Sequence, residues 1–296
     1  MTFARLRLKL AHMPFSTLID AADLRSLLAR PGLAVIDCRF DLLKPGAGRR
    51  AYLAGHIPGA QYADLELDLS APVGPDTGRH PLPSRREFAA RLGAWGVGND
   101  SQLIAYDDAG GAYAARLWWM ARWLGHRQVA VLDGGIQAWR SAGGALQAGE
   151  VTAESRIFEP GSGPDFITSA EVVAALADPG RLLVDARSPE RYAGAVEPLD
   201  AVAGHVPGAV NQPFIVNLDA AGRFKPPAEL KRLWQERLGG RPAAAVIAMC
   251  GSGVTACQNL LALESAGLGG AGLYAGSWSE WIRDPKRPVA RGGAPA

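Results

Sequence analysis

The sequence predicts an α/β protein of two domains, each a parallel sheet flanked by helices on both faces. Short apolar runs alternate with helical patterns, the order that builds a parallel sheet covered on both sides. The chain also repeats itself at a spacing of about 142 to 149 residues, so one plan is used twice. Between the copies Gly149, Glu150, Pro160, Gly161, Ser162, Gly163 and Pro164 gather without an apolar period, as in a linker. These readings place domains at 14–147 and 166–291 with a linker at 148–165, a division that suits 296 residues.

Taken in order, Leu33-Ala34-Val35-Ile36-Asp37-Cys38-Arg39 is a buried strand that returns as Leu182-Leu183-Val184-Asp185-Ala186-Arg187. Gly55-His56-Ile57-Pro58-Gly59-Ala60 returns as Gly204-His205-Val206-Pro207-Gly208-Ala209. Ser84…Glu87 and Thr168…Glu171 read as capping boxes, and helices are expected over 84–94, 111–124, 169–177 and 227–238. Trp118, Trp119 and Trp123 fall at helical spacing and read as core. The strand Leu103-Ile104-Ala105-Tyr106-Asp107 returns as Val246-Ile247-Ala248-Met249-Cys250, and Asp133-Gly134-Gly135 with Trp139 as Ala275-Gly276-Ser277 with Trp281.

Composition excludes several classes. Hydrophobic content of 48% and charged content of 20% describe an ordinary globular chain. A net charge of +2 gives no case for nucleic acid or an acidic membrane surface. Three cysteines, Cys38, Cys250 and Cys257, argue against a disulfide scaffold and for a reducing, cytoplasmic compartment. Their spacing suits no metal, and no glycine pattern marks a nucleotide site, so neither metal nor cofactor is expected. Residues 1–12 lack the apolar stretch of a signal peptide, and no run is long enough to span a bilayer. Met13 is an alternative start, and the segment before it is expected to be poorly ordered.

Duplication sorts structure from chemistry. Residues present in both copies serve the shared fold: Asp37 and Asp185, Arg39 and Arg187, His56 and His205. Cys250 is present once, its partner position being Asp107. It opens Cys250-Gly251-Ser252-Gly253-Val254-Thr255, a loop between a buried strand and a helix. Glycines let backbone N–H groups point inward, and the helix start adds partial positive charge, so the loop favours a thiolate nucleophile. Cys38 matches Ala186, so a small buried residue suffices there; Cys257, about two helical turns beyond Cys250, reads as core.

Two copies of Asp-x-Arg…Gly-His-[Ile/Val]-Pro-Gly-Ala, with Cys-Gly-Ser-Gly-Val-Thr in the second only, resemble the tandem-domain rhodanese family of thiosulfate and mercaptopyruvate sulfurtransferases. The resemblance covers residues 15 to 291. It implies two rhodanese-like domains, the first an inactive copy. Cys250 then takes sulfur from a small donor, becomes a persulfide, and passes it to cyanide or a thiol, such as thioredoxin or a low-molecular-weight thiol. Gly251, Gly253, Val254 and Thr255 would cradle the sulfur anion with their N–H groups. The loop is similar to the mercaptopyruvate branch, in which a serine, here Ser252, shares a proton relay with a histidine and a carboxylate. The resemblance assigns those to His80 and Glu66, with Asp64 and Asp68 as rivals. It also implies two arginines gripping a donor carboxylate. The first falls on Arg191, and the second position holds Leu199.

Two other readings compete. A cysteine phosphatase needs an arginine six residues after its cysteine, where this chain has Ala256. A non-catalytic persulfide carrier or docking module would accept sulfur once, whereas an enzyme turns over.

Overall fold

A computed structural model of the chain describes residues 15–293; the expectation for residues 1–12 lies outside them. The first half runs β1 (Leu18–Ile19), α1 (Ala21–Leu27), β2 (Leu33–Asp37), α2 (Ala47–Ala54), β3 (Gln61–Tyr62), α3 (Arg85–Ala94), β4 (Gln102–Tyr106), α4 (Ala114–Trp123), β5 (Val129–Leu132) and α5 (Gly135–Ser141). The second runs β6 (Phe166–Ile167), α6 (Ser169–Ala175), β7 (Leu182–Asp185), α7 (Pro189–Ala193), β8 (Val210–Asn211), α8 (Pro227–Leu238), β9 (Val246–Met249), α9 (Ala256–Ser265), β10 (Gly272–Tyr274) and α10 (Ser277–Trp281).

The sheets have the orders β1-β5-β4-β2-β3 and β6-β10-β9-β7-β8, with every pairing parallel. The orders correspond strand for strand, as a duplicated α/β unit requires. The longest strands, β2, β4, β5, β7 and β9, are buried on both faces because helices cover both sides. The two capping boxes form, Ser84 with Glu87 and Thr168 with Glu171, and each fixes the start of its helix.

The recurring polar residues hold loops in each copy. Arg39 pairs with Asp37 and donates to the Gly55 carbonyl, while Arg187 pairs with Asp185 and donates to the Gly204 carbonyl. His56 stacks on Tyr52 and His205 on Tyr192, each Nδ1 bonding to the backbone oxygen of its tyrosine.

Helix α4 is apolar nearly all round, and all of it but Arg122 is buried. It packs against α9, so one apolar core runs through both domains with Leu117 and Met120 on one side and Leu260 and Leu261 on the other. That contact brings a loop of the first domain over the end of β9. Residues 156–161 cross the first domain, with Phe158 buried and Arg156 and Gly161 bonded to the carbonyls of Gly93 and Leu124.

Candidate active site

The end of β9 carries Cys250, and the loop after it turns directly into α9. Gly253 takes φ +75°, and a Cβ there would collide with the Ala275 carbonyl, so only glycine lets the loop turn this tightly. Ser277, at φ +54°, is the one left-handed non-glycine residue among the described residues. Its hydroxyl donates to the Tyr274 carbonyl (2.8 Å) and accepts from the Cys250 N–H (3.1 Å), which explains the tolerated strain. The N–H groups of Trp278 and Ser279 close on the carbonyls of Cys250 and Gly251.

Among the described residues, the backbone N–H groups from Gly251 to Thr255 donate to no other group. Five free amides in a loop without a charged side chain make a site for an anion. The corresponding strand end of the first copy, where the loop is one residue longer before its helix, holds an anion. Asp107, in the position of Cys250, accepts hydrogen bonds from the N–H groups of Ala109, Gly111, Tyr113 and Ala114 at 2.8–2.9 Å.

Cys250 is 2% exposed. The guanidinium groups of Arg116 and Arg187 lie close enough for their charges to act on its sulfur. The other thiols are poor nucleophiles: burial pushes Cys38 well up, with Asp107 and Asp37 adding to it, and pushes Cys257 up to about 12.

His80 Nδ1 lies 2.7 Å from Ser252 Oγ, a contact between domains, and both side chains are buried. Burial pushes the imidazole down to about 3, helped by the charges of Arg116 and Arg79. The ring is therefore neutral at physiological pH and can accept the Ser252 proton at Nδ1. Because its folded value lies below the ordinary 6.5, His80 favours the unfolded chain as pH falls below that value. Lowering pH from 7 to 5 is expected to cost up to about 2 kcal/mol through this group. Urea midpoints of wild type and His80→Gln check this, since the variant should show the shallower decline.

Glu66 is placed elsewhere than the resemblance implies. Asp64 caps a turn by accepting from the N–H groups of Glu66 and Leu67, which sends the Glu66 side chain outward, where it is exposed. Asp68 accepts from the Asp64 N–H and pairs with Arg91. No carboxylate among the described residues contacts His80, so the geometry gives a serine–histidine dyad.

Arg191 does reach the loop: its terminal nitrogens lie 3.5 Å from where a Cβ on Gly251 would stand. It is paired with Glu197 (2.7 Å) and Asp200 (3.1 Å). Leu199, at the second expected arginine, only donates its N–H to Glu197. Trp278 is fully buried under Arg187, whose guanidinium carbon lies 4.8 Å from the ring centre.

Two further arginines belong to the site. Arg79 from the first domain pairs with Asp200 and comes within 2.9 Å of the same Gly251 position. Arg116 on α4 is fully buried with no carboxylate partner among the described residues. It donates to the carbonyls of Gly253 (3.1 Å), His80 (3.0 Å) and Leu69 (3.4 Å), while its Nε has no partner. A charge set among apolar residues near the start of α4 was its mark in the sequence; Arg79, in an irregular loop, had none.

Comparison with known proteins agrees with this architecture. The family model for the rhodanese-like domain matches residues 20–142 and 168–284. A Pseudomonas aeruginosa protein named "Probable 3-mercaptopyruvate sulfurtransferase" is 51% identical over 95% of this chain and 100% of its own. The rat 3-mercaptopyruvate sulfurtransferase is 36% identical and the rat thiosulfate sulfurtransferase 35%, each over 92% of this chain and 93% of its own. Among solved structures, SseA from Escherichia coli, of the 3-mercaptopyruvate sulfotransferases, superposes with a TM-score of 0.76 at 33% identity. The match covers 90% of this chain and 100% of that one. No helix among the described residues is long and apolar enough to cross a membrane.

Proposed function

The chain belongs to the rhodanese family and is a sulfurtransferase, and on that premise we propose that Cys250 carries the sulfur as a persulfide taken from 3-mercaptopyruvate. The observation that carries this reading is the loop of free amides after β9, in the position where the first copy wraps a carboxylate.

In the first half-reaction the Cys250 sulfur attacks the donor's thiol sulfur, and an S–S bond forms as the donor's C–S bond breaks. The electron pair of that bond passes to carbon, giving the enolate of pyruvate. The donor's thiol proton moves through the Ser252 hydroxyl and neutral His80 to that carbon, leaving pyruvate and a persulfide anion in the amide cradle. In the second half-reaction a thiol or cyanide takes the outer sulfur, and Cys250 leaves as the thiolate. The acceptor is a low-molecular-weight thiol or a small protein thiol such as thioredoxin, in a reducing cytoplasm where three unbridged cysteines persist.

Two features favour mercaptopyruvate over thiosulfate as the donor. The loop from Gly251 to Thr255 holds no basic side chain for a dianion, and the Ser252–His80 pair serves a proton that only the mercaptopyruvate reaction must move. Ser252→Ala is expected to lower kcat/KM for mercaptopyruvate about 10²-fold, and that for thiosulfate less than about threefold. Equal losses on both donors would count against the relay. Mass spectrometry of protein treated with mercaptopyruvate tests the persulfide itself, which adds about 32 Da on Cys250. Repeated product formation with cyanide separates an enzyme from a single-use carrier.

A further inference from the structure

We infer that Arg79, lent by the first domain, is the second arm of the grip on the donor carboxylate, and that Asp200 occupies this grip until a donor replaces it. The inference rests on a carboxylate-bearing donor, the reading proposed above. Four observations support it.

Arg79 and Arg191 approach one place. Their guanidinium nitrogens stand 2.9 Å and 3.5 Å from the position a Cβ on Gly251 would take, next to the reacting cysteine. The pair comes from different domains, so only the closed arrangement of the two brings them together.

Asp200 bridges them. One of its carboxylate oxygens binds Arg79 and the other binds Arg191 (3.1 Å). Its side chain is 3% exposed, whereas the arginines are 25% and 18% exposed. A carboxylate held by two guanidinium groups beside Gly251 has the chemistry of the carboxylate end of an α-keto acid.

The usual second arginine is absent, since Leu199 stands there, and Arg79 supplies a cation in its place. Position is fixed for Arg79 by its own backbone: its N–H donates to Ser279 Oγ (3.0 Å) on α10, and Arg283 donates to the Thr77 carbonyl nearby.

Cys250 is 2% exposed, so a donor reaches it only when something above the loop moves. The Arg79–Asp200–Arg191 bridge lies over Gly251, the residue next in the chain. Exchange of one carboxylate for another opens the way without leaving either arginine unpaired, because Glu197 also stays on Arg191 (2.7 Å).

Steady-state kinetics with 3-mercaptopyruvate on Arg79→Ala, Arg79→Lys and Asp200→Asn tests the inference. A second measurement, protection of Cys250 from iodoacetamide by pyruvate, needs no turnover. Arg79→Ala is expected to raise KM about tenfold or more with a smaller fall in kcat, and to weaken pyruvate protection in step. Arg79→Lys should fall between it and wild type. Asp200→Asn removes the internal competitor and is expected to lower KM, and the pyruvate concentration for half protection, about threefold. Loss of a merely structural ion pair would shift both variants the same way, and that result overturns the inference. So does an Arg79→Ala KM within about twofold of wild type. If wild type turned over no mercaptopyruvate, the donor reading would fall and pyruvate protection alone would decide the grip. Wild type unprotected by pyruvate ends the inference.

Discussion

Cys250→Ser is expected to abolish sulfur transfer with every donor, by at least about 10³-fold, while the protein stays folded. An alkoxide is far harder to form than a thiolate, and oxygen in that place cannot hold a sulfane sulfur. The fold should not notice the change. The strand end is fixed through backbone groups, the Cys250 N–H on Ser277 and its carbonyl under Trp278, and neither depends on the sulfur. Thermal unfolding within about 3 °C of wild type, with no persulfide by mass spectrometry, is the expected pair of results. Activity retained by the variant would move the nucleophile elsewhere. Neither of the other cysteines is ready to replace it: Cys38 is buried in the first domain, and Cys257 points its thiol at the Gly253 carbonyl (3.3 Å) inside α9.

Arg116→Ala is expected to have the second largest effect, and on stability as well as rate. The guanidinium is the side-chain donor to the His80 and Leu69 carbonyls and shares the Gly253 carbonyl with the Cys257 thiol, and it ties the Cys250 loop to the first domain. Removing it leaves buried carbonyls unpaired and a cavity between α4 and α9. The cost is on the order of 4 kcal/mol, or a fall in Tm of about 10 °C. Below that Tm, kcat should still fall at least about tenfold, because His80 and the loop share this one anchor. Arg116→Lys keeps the charge but not the fork, and should recover part of the rate. A Tm within about 2 °C of wild type for the alanine variant would show that the anchor is dispensable.

The sequence made the architecture readable because duplication and burial leave periodic traces. Each buried strand was a short apolar run, the capping boxes were visible at Ser84 and Thr168, and the pairing of the halves placed Cys250 opposite Asp107. Ser252 and His80 were accessible through the loop motif and the asymmetry of the copies, and they meet at 2.7 Å. Glu66 was not, since its direction depends on a turn capped two residues earlier, by Asp64. Arg79 and Asp200 were invisible for a different reason. They lie 121 residues apart, and their meeting depends on how two domains close, which no local pattern records.

Asp107 has a consequence for how the second loop can be studied. Its carboxylate is a permanent tenant: it arrives with the chain, and no acceptor can remove it. The first copy thus shows, at equilibrium and without chemistry, how main-chain amides at this strand end close around a fixed negative charge. Each molecule thereby carries an internal reference for a charge held by main-chain donors, against which the Cys250 loop can be compared.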